Sequence, residues 1–170
     1  ADVNFLSRIS SPEEGFATSQ RSKEPGNLIE NLGKPVICAM NGMALGGGNE
    51  LAMCCTARIA RSGLPMLVAQ PEPNLGLVPG AGATQRLPRL IGLTKASELL
   101  RTGRPISGRE AVECGLISEE VDGDLVEAAV GVRHGGQAVL EPQHDLVAHG
   151  SETRRHHEQR MAAVLVQAQL

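Results

Sequence analysis

At 170 residues, 41% of them hydrophobic and 21% charged, the chain has the length and balance of one globular domain with a real core, which excludes an intrinsically disordered protein. A formal net charge of −3, with no dominant basic patch, argues against a nucleic-acid or anionic-membrane partner. Two Phe without any Trp or Tyr also leave no aromatic platform for base stacking.

In chain order, Ser11-Pro12-Glu13-Glu14 reads as a helix start, with Ser11 as N-cap, Pro12 at the first helical position and Glu14 closing a capping box. Pro25-Gly26 is expected to interrupt that helix, because an interior proline removes a hydrogen bond and clashes with the preceding turn. A second short helix then runs through Leu28, Ile29 and Leu32 and stops at Gly33. Pro35 to Met40 is an unbroken apolar run, the pattern of a strand buried on both faces. Asn41-Gly42 turns the chain, Met43 to Leu45 continues it, and Gly46, Gly47 and Gly48 lead to Asn49, a candidate cap for a helix carrying Glu50, Leu51, Met53 and Cys54.

Short strands follow at Arg58 to Ala60 and Met66 to Val68, and helical spacing sets in from Thr84 through Leu87, Leu90, Ile91, Ala96, Leu99 and Leu100. Ser107-Gly108-Arg109-Glu110 is another capping box, Gly115 suits the residue just past that helix, and Leu116 to Val121 reads as extended chain. Strands alternating with helices point to the α/β class. Residues 131–160, rich in Gly, Gln, His and Arg, show no sustained periodicity and read as loop or disorder, while Met161 to Leu170 suggests a short terminal helix. Residues 1–130 therefore read as the core and 131–170 as an atypical tail.

No apolar run approaches the ~20 residues of a membrane-spanning helix, and Ala1 to Ser10 lacks the layout of a secretory signal. Cys38, Cys54, Cys55 and Cys114 form no C-x-x-C pair and read as free thiols in a reducing compartment. The five histidines all fall in the last 37 residues with no zinc spacing, so no metal site is expected.

Three glycines opening a helix let backbone N–H groups approach a ligand atom at the positive end of the helix dipole, an arrangement suited to a developing oxyanion. By itself the cluster reads better as a tight turn, since neither a P-loop nor a G-x-G-x-x-G fingerprint is present. Glu50 lies in the first turn of that helix, and Glu72 follows in Gln70-Pro71-Glu72. Singly, each glutamate reads as a surface residue. Two carboxylates bracketing a water are different, because one takes a proton and the other gives one when their environments separate their pKa values.

The stretches Lys34-Pro35-Val36-Ile37 and Asn41 through Met53, then Gln70-Pro71-Glu72, Asn74 through Arg89, Leu100 through Ser107, Glu110-Ala111 and Gly115-Leu116 together resemble the signature of the crotonase, or enoyl-CoA hydratase, family. The likeness runs in order from about Gly33 to Val130. It implies a ββα spiral fold and hydration of an enoyl-CoA double bond in fatty-acid or related acyl-CoA degradation. Glu50 would accept a proton from water, Glu72 would donate one to the α-carbon, and Gly47 would supply an oxyanion N–H. Met43, Leu77, Pro79 and Ala81 would line the substrate pocket. It implies no cofactor beyond the coenzyme A of the substrate, a homo-trimer or hexamer, and a cytoplasmic location, or the mitochondrial matrix if a targeting segment precedes Ala1. It further implies roughly a hundred residues before Ala1, which would itself stand where the second oxyanion donor falls, so the chain reads as N-terminally truncated. Double-bond isomerisation, thioester hydrolysis and an inactive remnant are the alternatives.

Overall fold

The computed structural model describes residues 3–131 and 162–166. Its centre is strand β1, Val36–Met40, buried at every position. Val36, Cys38 and Met40 enter one apolar core and Ile37 and Ala39 the other. A strand alternates its side chains between faces, so burial on both requires the unbroken apolar run seen in the sequence.

Chain order feeds two sheets in alternation. After β1 come β2 (Ala44–Leu45) and a short helix (Gly47–Ala52), then β3 (Ala57–Arg61) and β4 (Val68–Ala69), and later β5 (Glu119–Val121). Strands β1, β3 and β5 lie in a parallel sheet, whereas β2 and β4 pair in a second, also parallel. This is a ββα spiral. Parallel neighbours need crossovers, and here each crossover carries a strand of the second sheet. The larger core is closed by Leu87, Ala96 and Leu99 from two helices, Ala83–Ile91 and Leu93–Thr102, and the smaller by Leu125 and Ala129 of Leu125–Gly131. Cys38, Cys54 and Cys55 are buried, Cys114 half-buried, and all four are free thiols.

The chain end corrects one expectation. Ala162–Val166 is strand β6, not helix, and pairs in parallel along the other edge of β1, Val36 opposite Ala162 and Met40 opposite Val166. An open edge of a buried strand presents unpaired N–H and C=O groups, and satisfying them outweighs weak local helix preference. Gly131, expected to open a loop, instead ends the helix Leu125–Gly131, and the rest of that expected loop, 132–160, lies outside the described residues.

The helices in chain order are α1 (Val3–Leu6), α2 (Pro12–Glu30), α3 (Gly47–Ala52), α4 (Ala83–Ile91), α5 (Leu93–Thr102), α6 (Gly108–Glu113) and α7 (Leu125–Gly131). Gly92 divides α4 from α5. Ser11 caps α2 by accepting from the Glu14 N–H at 3.2 Å, but the Glu14 carboxylate reaches the Ser10 N–H at 3.0 Å rather than that of Ser11. Ser107 caps α6 from the Glu110 N–H, Gly115 follows the C-cap with φ of 80°, and the Glu110 carboxylate turns to Arg104 and Lys95.

Pro25-Gly26 does not interrupt α2, which runs unbroken for 19 residues. Proline removes one hydrogen bond, to the carbonyl of Arg21, and both Arg21 and Pro25 are exposed residues, where solvent can compensate for the lost bond. Beyond it, tertiary contacts hold the helix. Gly26 is its one buried residue, and a Cβ there would lie 2.6 Å from Cys54 Sγ. These adjacent positions should therefore respond oppositely to alanine. Pro25→Ala should stabilise the protein by about 1–3 kcal/mol. Gly26→Ala should destabilise it despite a propensity gain of ~1 kcal/mol, because its methyl overlaps Cys54. Denaturant midpoints decide this, and a gain at both positions would show that α2 does not rest on Cys54.

Candidate active site

Glu50 and Glu72 meet because two parallel strands end together. In the second sheet Ala44 faces Val68 and Leu45 faces Ala69, and the Gly46 N–H extends the pairing to the Ala69 carbonyl at 2.9 Å. The chain leaves β2 into α3, which carries Glu50, and leaves β4 through Gln70-Pro71 into a tight 3-10 turn, Glu72–Leu75. That turn closes at Gly76, φ 71°, and the Leu77 N–H returns to the Glu72 carbonyl at 3.0 Å.

The cap of α3 is Gly46, not Asn49. Gly46 has φ 53° and ψ −122°, a conformation open to glycine. A Cβ there would stand 2.6 Å from Glu72 Oε1. Gly46 thus seats the carboxyl of Glu72 directly against the backbone that opens α3. Asn49 lies inside the helix, 2% exposed, with its side-chain amide 3.3 Å from that of Gln70, which is 1% exposed. Oriented with its nitrogen toward them, the Gln70 amide donates to the carbonyls of Gly46 and Ala69 at 3.2 and 3.0 Å, so a buried polar crossbar joins the two strand ends behind the glutamates.

The carboxylates are held differently. Glu50 is 3% exposed, and its Oε1 accepts the N–H of Ala81 at 2.8 Å and of Ala83 at 2.9 Å. Ala81 lies in the loop entering α4 and Ala83 is the first residue of that helix, on either side of its N-cap Gly82. Backbone N–H groups only donate, so they fix Oε1 as acceptor and leave Oε2 for proton chemistry. Glu72 is half-buried, and its Oε2 is enclosed without a hydrogen-bond partner among the described residues. Burial, aided by the charge of Glu50, pushes the Glu72 carboxyl above its usual range. One carboxyl is oriented by fixed donors and the other holds its proton more tightly than a free carboxyl. Such a pair can act as base and acid.

Of the other expected residues, Gly47 occupies the first position of α3, where a backbone N–H has no partner within the helix. Ala81 reaches the site through its backbone. Pro79 is buried and Met43 half-buried, while Leu77 is 43% exposed between Leu75 at 55% and Val78 at 76%, an apolar rim beside Glu72. Ala1 lies outside the described residues. Sequence reading missed the Ala83 N–H, the Asn49–Gln70 crossbar and the seating of Glu72 on Gly46. Only the Gly-Ala-Gly-Ala run ahead of Thr84 signalled a loop whose backbone could approach closely. Among the described residues no group of three His, Cys, Asp or Glu side chains could hold a metal, and no helix is long and apolar enough to cross a membrane.

Two carboxylates and a glycine-opened helix at neighbouring parallel strand ends define the class: an α/β spiral with the makings of an acid–base centre. A model of the family described as Enoyl-CoA hydratase/isomerase matches residues 10–164, and the chain belongs to that family, the crotonases. The match is wider than the signature stretch and takes in α2. Among curated relatives, a probable enoyl-CoA hydratase of Bacillus subtilis is 44% identical over 69% of this chain and 45% of its own length. A fatty acid oxidation complex subunit alpha of Shewanella frigidimarina is 37% identical over 84% of this chain and 20% of its own. Among solved structures, an enoyl-CoA hydratase from Bacillus anthracis superposes with a TM-score of 0.70 at 40% identity, over 78% of this chain and 50% of that one. The chain thus spans at most about half the length of these relatives.

Raising the Glu72 pKa has a stability consequence. Between the unfolded value, about 4.3, and the raised folded one, the folded state keeps a proton that the unfolded chain has lost. Stability therefore falls as pH rises through that window and stays lowered above it. Glu72→Gln removes the effect, so its stability relative to the parent should increase from about pH 4 upward and then level off. Thermal unfolding at a series of pH values checks this. A difference independent of pH would show that Glu72 titrates as it does in the unfolded chain.

Proposed function

We propose that this site adds water across the 2,3 double bond of an enoyl-CoA thioester. The observation that carries the reading is the division of labour between the carboxyls: Glu50 pinned by two backbone N–H groups, Glu72 desolvated with a bare Oε2. The thioester oxygen accepts from the Gly47 N–H, where the positive end of α3 favours negative charge. Glu50 takes a proton from water as the water oxygen bonds to the β-carbon. The π electrons move toward the carbonyl, giving an enolate-like thioester, and Glu72 passes its proton to the α-carbon. Proton exchange with solvent then restores Glu50 as base and Glu72 as acid. A donor aimed at the oxyanion is worth roughly 3–4 kcal/mol where such donors have been removed.

The chemistry is proton transfer and hydrogen bonding throughout, with coenzyme A arriving as part of the substrate and no metal or redox cofactor called for. The apolar rim at Leu77, with Met43, Pro79 and Ala81, would meet the acyl and pantetheine parts. The relatives' names support hydration and a place in fatty-acid oxidation. Retention of both glutamates favours hydration over the isomerase chemistry that the family also includes. The reading extends to a homo-oligomer working in the cytoplasm.

Glu50→Gln and Glu72→Gln should each lower crotonyl-CoA hydration by a factor on the order of 10² or more. A loss below tenfold at either residue in a folded protein counts against the paired-carboxyl mechanism. Gly47→Pro deletes the donor while keeping a residue suited to a first helical turn, and turnover should vanish. Full activity in a folded Gly47→Pro protein would show that the glycines only turn the chain.

A further inference from the structure

The turn carrying the Ala81 and Ala83 N–H groups must be held in place for Glu50 to keep its donors. It is a glycine-rich loop between an exposed apolar rim and α4, and backbone of this composition is loose unless tied down. The tie is Arg86, one turn into α4. Its Nη1 donates to the Ala81 carbonyl at 2.9 Å, the same peptide-bearing residue whose N–H holds Glu50 at 2.8 Å. Its Nε and Nη2 donate to Glu30 Oε1 and Oε2 at 2.7 and 2.9 Å, a fork-on-fork pair with the last residue of α2. The Arg86 side chain is 17% exposed and that of Glu30 35%. The guanidinium crosses the place where a side chain on Gly82 would stand, with Nη1 overlapping an ideal Cβ there. Gly82, at φ 116°, therefore leaves room for the clamp as well as turning the chain.

We propose that Arg86, gripped by Glu30, is a positioning residue for the general base, holding the Ala81–Ala83 turn so that its N–H groups orient the Glu50 carboxylate. The role of Glu50 as base rests on the hydratase reading above, whereas the clamp on its carboxylate is geometric. Arg86 touches neither water nor substrate in this scheme. Its work is done by shape more than by charge. Three of its donors meet two acceptors on α2 and one on the loop, a division that an ammonium at the end of a flexible stem does not reproduce. Glu30 acts only by fixing the fork, so both residues belong to one unit. Misplacing the turn swings the Glu50 oxygen away from the attacking water, and small errors of that kind are amplified in rate.

The test has a structural arm and a kinetic arm. In Arg86→Lys, Arg86→Met and Glu30→Gln, amide hydrogen exchange followed by NMR should accelerate on the order of tenfold at Ala81 and Ala83, while the amides of β1 and β3 keep their protection. The kcat for crotonyl-CoA hydration should fall on the order of tenfold with KM nearly unchanged. Arg86→Lys should resemble Arg86→Met, since the fork is lost in both. Adding Glu30→Gln to Arg86→Met should have little further effect, as expected of one coupled unit. Glu30→Gln, at a half-exposed helix end, serves if the Arg86 variants fail to fold. Unchanged exchange at Ala81 and Ala83 in folded variants overturns the proposal. So does acceleration shared equally by β1 and β3, or local acceleration that leaves kcat untouched in an active enzyme. If the parent protein hydrates no enoyl-CoA yet the exchange result holds, the clamp on Glu50 stands and the hydratase reading fails.

Discussion

The site depends on the register between two very short parallel strands. Ala44–Leu45 and Val68–Ala69 contribute two residues each, yet their pairing decides that the chain segments leaving them, one into α3 and one into the turn at Glu72, start side by side. Parallel strands point all their carboxyl ends the same way, so a loop and a helix N-terminus from different crossovers converge there. A one-residue slip would send Glu72 away from Gly46 and invert the faces of both strands. The pairing continues past the strands through the Gly46 N–H and behind them through Gln70 and Asn49. The carboxyls thus stand on backbone already committed to a sheet.

That placement sets up a tension which the local chemistry resolves. Burial and the charge of Glu50 raise the proton affinity of Glu72. The protein gives the two carboxyls different environments. Glu50 receives two backbone donors, and Glu72 is left with one oxygen packed on Gly46 and the other unpartnered among the described residues. A buried polar atom without a partner is a liability for stability, and in an acid–base centre it is also the atom from which a proton can leave. The energetic strain sits where the proposed reaction takes place.

Support for this centre comes from far along the chain. Helix α2 contributes Gly26 against Cys54 and Glu30 to Arg86, so it braces both the end of α3 and the turn before α4. The main sheet behind is held by β1, and its second edge is closed by β6 from the far end of the sequence. Exposed Leu75, Leu77 and Val78 stand out from this frame, with an acyl group as their proposed neighbour.

Much was legible in the residues themselves, for physical reasons that are local. Ser11 and Ser107 announce helix starts because a side-chain oxygen bonds an N–H only three residues away. The apolar run at Val36–Met40 declares a doubly buried strand because side chains alternate. Glu50 and Glu72 were singled out by the family likeness of the stretches around them, not by their own chemistry, since neither type nor spacing marks a glutamate as an acid or a base. Tertiary structure decided what depends on distant partners. It carried α2 through Pro25, because Cys54 and Arg86 hold its far end, and it made Ala162–Val166 a strand, because β1 offered an edge. It gave the α3 cap to Gly46 instead of Asn49, because the Glu72 carboxyl takes up the space that any side chain there would need. It supplied Glu50 with donors from Ala81 and Ala83, whose side chains carry no polar atom for a sequence to show. The groups that orient the base belong to the backbone, and only folding determines where backbone amides point.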